Sequence, residues 1–333
     1  MNIKKQKITK KKSTNKLAVL LALTTILALA MTALTGCNSK ELSGEVKIAA
    51  LKGPTGMGMV QLLDQGNYEV GLYQSPDEIV AKIVSGEVDL AAVPSNLASV
   101  LYNKTKGNIK AVSVITLGVL YIMENGDSIT SVADLKGKTI IASGKGGTPE
   151  YALQKILENA GLKIGEGTDD VKIQWLANHT EVVGKMIAED GAVALVPEPF
   201  VTIAKAQGGP NQKVALDVNE EWKSATGEDL PMGVLIAQKS FADERAADLD
   251  IVLAQWADSV TFVNENPEEG AALIEEKGIF DKAAVAEKAI PNCNIVCYNS
   301  AGTKAAMKSF LQILFEMNPQ SVGGTVPGEE FYY

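Results

Sequence analysis

The apolar positions of this chain alternate between two rhythms. Val46-Lys47-Ile48-Ala49-Ala50-Leu51 reads as a short buried strand, Tyr68–Tyr73 as a second and Asp89–Val93 as a third. Between the last two, Ile79, Val80, Ile83 and Val84 recur at helical spacing, and Gly86 stops the run. Ser75 can cap that helix, Pro76 fits its first turn because no N–H is needed there, and Glu78 can complete a capping box. The mostly apolar stretch Ile109–Met123 is rich in Val and Ile, lacks a helical stop and carries Gly118 in its middle. It predicts two extended segments, the second crossing towards another lobe. There the pattern restarts. Thr139–Ala142 predicts a strand, and Thr148-Pro149-Glu150 predicts the cap of a helix that buries Leu153, Ile156 and Leu157 and ends at Gly161. Lys172–Leu176, Ala192–Val196 and Lys213–Val218 predict further strands, and Met232–Ala237 a returning one. From Ser240 the periodicity is helical, over 240–265, 267–277, 281–288 and 301–317.

Strands that alternate with helices argue for mostly parallel sheets with helices on their faces. The expected architecture is therefore α/β with two lobes, each a mixed, mostly parallel sheet flanked by helices. Lobe 1 takes residues 45–122 and 232–333, lobe 2 takes 123–231, and two crossings form a hinge. Two lobes joined by two extended connections can open and close.

The first forty residues follow a different logic. Lys4, Lys5, Lys7, Lys10, Lys11, Lys12 and Lys16 precede an apolar run from Leu17 to Leu34, and Leu34-Thr35-Gly36-Cys37 follows. A basic start, an apolar middle and small residues at the end describe a secretory signal over residues 1–36. Such a run can just span a bilayer, but the last four residues resemble the lipobox of bacterial lipoproteins. That resemblance implies cleavage before Cys37 and diacylation of its thiol, and two acyl chains suffice for stable attachment. Residues 37–44 would then be a tether, and the protein would be extracytoplasmic and lipid-anchored to the cell membrane. The whole chain has 31 basic and 40 acidic residues; without the seven leader lysines 24 basic residues remain, a net charge of −16. Such a surface repels nucleic acid and favours solubility. The mature part is expected to act as a monomer.

The turn-rich segments share one position: each follows a strand and precedes a helix. They are Lys52-Gly53-Pro54-Thr55-Gly56, Pro94-Ser95-Asn96, Ser143-Gly144-Lys145-Gly146-Gly147-Thr148 and Pro197-Glu198-Pro199. Ligands of open parallel sheets bind outside the carboxyl ends of the strands. Two such loops come from each lobe, so a cleft between the lobes would be lined from both sides. Helix N-termini add N–H groups and a positive dipole end, which suits a compact anion. Candidate ligand residues are Thr55, Gly56, Ser95, Asn96, Lys145, Gly146, Gly147 and Thr148, with Tyr121, His179 and Glu198 available for a neutral or cationic ring. The run Gly144-Lys145-Gly146-Gly147-Thr148 lacks Walker A spacing and does not indicate nucleotide.

These motifs resemble those of extracytoplasmic binding proteins of ABC importers, in the nitrate, sulfonate, taurine and thiamine-precursor group. The similar residues are Lys52–Gly56, Asp77-Glu-Ile-Val80, Gly86–Asn96, Val132-Ala-Asp-Leu-Lys-Gly-Lys138 and Pro197-Glu-Pro-Phe200. The resemblance covers roughly residues 46–320. It implies a type II periplasmic-binding fold, a permease and an ATPase as partners, no cofactor and no catalysis. It leaves the solute open: a sulfonate-like, nitrate-like or taurine-like anion is favoured, and a thiamine-precursor-like pyrimidine is the alternative. The architecture also resembles chorismate dehydratases, but those enzymes work in the cytoplasm, whereas Cys37 sends this chain out.

Three further features carry weaker signals. His179 is the sole histidine, which excludes a His-rich metal site. Cys293 and Cys297 lie four apart after Pro291 and could form a disulfide or stay as two thiols. Arg245, the sole arginine, sits in Phe241-Ala-Asp-Glu-Arg-Ala-Ala-Asp-Leu249, which reads as a solvated helix start rather than an anion clamp.

Overall fold

The computed structural model describes residues 41–333. The expected leader, Cys37 and residues 38–40 of the tether lie outside the described residues. Among the described residues there are ten strands: β1 Val46–Leu51, β2 Tyr68–Tyr73, β3 Leu90–Pro94, β4 Ile109–Thr116, β5 Leu120–Asn125, β6 Thr139–Ala142, β7 Lys172–Trp175, β8 Val193–Pro197, β9 Gln212–Asp217 and β10 Gly233–Gln238. They form two five-stranded sheets, ordered β2-β1-β3-β10-β4 and β7-β6-β8-β5-β9. In the first, β1 runs parallel to β2 and β3, while β10 is antiparallel to β3 and β4. In the second, β6 runs parallel to β7 and β8, while β5 is antiparallel to β8 and β9. The architecture is the two-sheet α/β arrangement the sequence predicts.

The antiparallel strands follow from the crossings. β4 ends at Thr116 and the chain enters the second sheet at Leu120, which lies opposite Pro197 at the end of β8. The return strand begins at Gly233, opposite Pro94 at the end of β3 and Thr116 at the end of β4. Both crossings thus join carboxyl edge to carboxyl edge, and the strands that arrive must run against their hosts. The second sheet begins at Leu120, three residues before the expected lobe boundary.

Twelve helices are described: α1 Pro54–Met57, α2 Pro76–Ser85, α3 Ser95–Lys104, α4 Thr148–Asn159, α5 His179–Ala188, α6 Phe200–Gly208, α7 Val218–Thr226, α8 Lys239–Glu244, α9 Ala246–Glu265, α10 Pro267–Glu276, α11 Ala283–Ala289 and α12 Ser300–Met317. α2 has the predicted capping box, with Ser75 N donating to Glu78 Oε2 at 3.0 Å, and Gly86 ends it at φ 74°. Alternate residues of β1 serve opposite faces: Ala49 packs in one core, Ile48 and Ala50 in another.

The predicted helix 240–265 is two helices, because Arg245 leaves helical geometry between α8 and α9. Nor is Arg245 on a solvated face. Its Nη1 and Nη2 donate to Glu45 O and Gly44 O, both at 3.0 Å, and its Nε donates to Asp248 Oδ2 at 2.7 Å. Ser43 donates to the same buried carboxylate through N and Oγ. The arginine is a clasp on the segment that leads into β1.

The two described cysteines are free thiols, so the possible disulfide is not formed. The reason is the backbone. Asn294 turns the chain with a left-handed φ of 43°, and the segment after it runs along β4, with Leu117 N donating to Asn294 O, Val296 N to Ile115 O and Tyr298 N to Val114 O. Cys293 is buried in the core behind the first sheet, while Cys297 Sγ lies 3.5 Å from Ser113 Oγ.

Candidate functional site

Four chain segments meet at the carboxyl edge of the first sheet. Ser95 follows β3 as the first residue of α3, Thr116 ends β4, Gly233 opens β10 and Thr55 sits in α1 after β1. Gly233 ties them together, since it is paired with both Pro94 and Thr116. A methyl group at Gly233 would lie 3.1 Å from Thr116 Oγ1 and 3.5 Å from Thr55 Cγ2. Ser95 and Thr116 are 0% and 1% exposed, and neither hydroxyl has a hydrogen-bond partner among the described residues. Buried polar atoms are nearly always paired, because leaving one unpaired costs about 1–3 kcal/mol. The two hydroxyls lie on one sheet edge, on either side of Gly233, and that of Ser95 stands at the N-terminus of a ten-residue helix, a polar seat that could suit an oxygen-rich group.

The second sheet faces this seat with its own carboxyl edge. Thr148 does not cap α4 as expected: Gly147 holds the cap position and Thr148 is the first helical residue. Its hydroxyl is therefore free of the helix, and it donates across the cleft to Asn96 Oδ1 at 3.3 Å. The N-termini of α3 and α4 thus confront each other, and two positive dipole ends converge on one place. Lys145 is exposed on the loop before α4. Two other members of that loop are engaged locally, with Gly146 N donating to Glu150 Oε2 at 2.6 Å and Gly147 N to Gly144 O at 3.1 Å. Gly56 is also spent on packing: a Cβ there would lie 2.6 Å from Leu51 O, and its N–H bonds to Gly53 O.

Tyr121, His179 and Glu198 line the same edge in different ways. Ser143 Oγ lies 2.6 Å from His179 Nδ1, and the ring packs against Phe200 at 5.1 Å. Burial lowers the imidazole pKa to about 4, so the ring is neutral at physiological pH. With Ser143 donating to Nδ1, Nε2 carries the proton and can donate to a ligand. Glu198 is 3% exposed and accepts from Thr202 N and Thr202 Oγ1 at 3.1 and 3.2 Å. Both carboxylate oxygens are thus engaged at the first turn of α6. Burial raises its pKa, against those two hydrogen bonds. Tyr121 OH donates to Asn292 O at 3.1 Å and so joins the two sheets on the far flank. Burial pushes its pKa up, helped by the charges of Asp217 and Glu198.

Thr116 and Gly233 escaped the sequence reading. Thr116 closes an apolar strand and is the one polar residue placed where that strand stops, a faint signal. Gly233 matters only because β10 inserts between β3 and β4, which no local pattern announces.

Among the described residues no group of three or more His, Cys, Asp or Glu is placed to hold a metal ion, and no helix is long and apolar enough to cross a membrane.

A comparison with curated proteins by sequence returns no match. Solved structures are similar in fold. An ABC transporter protein from Parabacteroides distasonis is 25% identical with a TM-score of 0.72, over 87% of this chain and 98% of that one. The periplasmic aliphatic sulphonate binding protein SsuA from Escherichia coli is 19% identical with a TM-score of 0.67, over 84% and 94%. The periplasmic nitrate-binding protein NrtA from Synechocystis is 12% identical with a TM-score of 0.59, over 84% and 82%. These likenesses establish the type II periplasmic-binding fold. A family described as "ABC transporter, phosphonate, periplasmic substrate-binding protein" matches residues 62–286, well over half of the sequence, and the chain belongs to that family of substrate-binding proteins.

Proposed function

We propose that this protein captures a small oxyanion solute, a phosphonate or sulfonate, between its two sheets and delivers it to the permease of an ABC importer. The observation that carries this reading is the pair of buried, unpartnered hydroxyls of Ser95 and Thr116 on the edge that Thr148 meets through Asn96. The anionic head would accept hydrogen bonds from Ser95 and Thr116, and from Thr148 once its hydroxyl turns away from Asn96 Oδ1, with the converging N-termini of α3 and α4 supplying positive potential. Neutral donors replace the arginine fork that often grips such anions, because the one arginine is committed to residues 44, 45 and 248. The non-acidic end of the solute would meet Tyr121 and the Ser143–His179 pair. A site shared between two lobes gains its full set of contacts only when they close, so solute binding and closure are coupled.

The protein would reach the solute outside the membrane, held by lipid on Cys37 after removal of residues 1–36. Mass spectrometry of the mature N-terminus tests this: a diacylated Cys37 is expected, and an unmodified first residue at another position would end the idea.

Calorimetric titration with methylphosphonate, ethanesulfonate, taurine, nitrate and a hydroxymethylpyrimidine tests the solute class. Binding of a phosphonate or sulfonate, weakened by Ser95→Ala and Thr116→Val, is the expected result. Binding of the pyrimidine alone would transfer the site to Tyr121, His179 and Phe200.

A further inference from the structure

The turn that follows α12 reaches across to the second sheet's α4. Residues Pro319–Val322 form a 3-10 turn after α12, capped by Asn318, whose Oδ1 accepts from Gln320 N. One face of α3 is devoted to this turn. Asn96 Nδ2 donates to Ser321 O at 3.3 Å, Ser99 Oγ to Val322 O at 2.8 Å and Asn103 Nδ2 to Val322 O at 2.9 Å. Positions 96, 99 and 103 share a helix face, so a single polar stripe fixes the turn to the first sheet's helix. From that platform Asn318 Nδ2 donates to Tyr151 OH at 3.1 Å, and Tyr151 lies on α4 of the second sheet. On the same flank Trp222 of α7 meets Phe310 of α12 with ring centroids 6.0 Å apart.

We propose that the Asn318–Val322 turn is an interlobe bracket that favours the closed arrangement before solute arrives. It acts at two points. It holds Asn96 by its amide nitrogen, which leaves Asn96 Oδ1 aimed at Thr148, and it grips Tyr151 directly. Asn96, Asn318 and Tyr151 are positioning residues here: the bracket sets how far apart the two walls of the seat stand. This rests on the reading that solute binds between Ser95, Thr116 and Thr148. Stabilising the closed form raises apparent affinity by the factor through which it raises the closed population. One hydrogen bond of this kind corresponds to about two- to tenfold.

The test uses the chain from residue 42 onward, which forms one compact unit. Tyr151→Phe removes the acceptor and leaves the cap of the turn intact. Asn318→Asp keeps the cap and lets Tyr151 donate to the carboxylate instead. Small-angle scattering without solute should give a larger radius of gyration for Tyr151→Phe than for the wild type and for Asn318→Asp. Methylphosphonate should bind Tyr151→Phe about two- to tenfold more weakly, through faster dissociation, and should bind Asn318→Asp as the wild type. Equal radii for Tyr151→Phe and the wild type would overturn the bracket, as would an Asn318→Asp variant as open as Tyr151→Phe. Failure of the wild type to bind methylphosphonate or any other oxyanion would sink the solute reading, while the scattering result would still decide the bracket.

Discussion

Thr116→Val is the substitution in which structure and function should pull in opposite directions. The hydroxyl of Thr116 is 1% exposed and has no partner among the described residues, so the folded protein carries its desolvation cost uncompensated. Valine keeps the β-branched shape that suits the end of β4 and replaces the hydroxyl with a methyl group. Removing an unpaired buried hydroxyl should recover about 1 kcal/mol or more, from the roughly 1–3 kcal/mol that such a group costs. For a protein of this size 1 kcal/mol corresponds to a rise of about 2 °C in Tm. Binding should respond the other way. A hydrogen bond to a charged oxygen contributes about 1.5–3 kcal/mol, so affinity for an oxyanion should fall roughly 10- to 100-fold. The assay pairs thermal unfolding without solute with calorimetric titration of methylphosphonate or ethanesulfonate. A lower Tm combined with unchanged affinity would refute the reasoning, for it would mean that the hydroxyl is satisfied in the free protein and idle in the complex.

Gly233→Ala sets a methyl group 3.1 Å from Thr116 Oγ1 at the floor of the seat; titration should show affinity largely lost while circular dichroism stays unchanged. Glu198→Gln tests the buried acid. Burial raises its pKa, so the folded state holds the proton more tightly than the unfolded state. Its contribution is therefore best at acidic pH and declines as pH rises from 4.5 through the folded pKa, so the variant should melt higher than wild type at pH 7.5 but not at pH 4. His179 has the opposite sign: its pKa is lowered to about 4, so stability present above pH 6.5 should be lost as pH falls from 6.5 towards 4. His179→Gln should flatten that part of a Tm-against-pH curve. Arg245→Ala should free the Ser43–Glu45 segment, read as faster proteolysis near the N-terminus and a Tm lower by a few degrees, with solute affinity unchanged.

Much of this protein is legible along the chain because the relevant physics is local. The capping box at Ser75 and Glu78, the stop at Gly86 and the alternation of Ala49 against Ile48 and Ala50 all depend on neighbours a few residues away. So does the placing of polar loops after strands, and these loops carry Ser95, Asn96 and Thr148 to the seat. Where the sequence reading failed, a distant partner had taken the residue. Arg245 reads as solvated until Gly44, Glu45 and Asp248 close around it. Cys293 and Cys297 read as a possible bridge until the core takes Cys293 and Ser113 of β4 takes Cys297.

The amino-acid sequence by itself determined which segments become strands and helices, and that their polar turns share one kind of edge. Only the tertiary structure decided that Thr116 and Gly233 belong to the site, that Thr148 meets Asn96, and that Asn318 reaches Tyr151 from the far end of the chain. The physical reason is that periodicity and capping are set by backbone geometry over one or two turns. Which hydroxyl ends unpaired and buried depends instead on how strands from opposite ends of the chain insert beside each other, and no local pattern encodes that order.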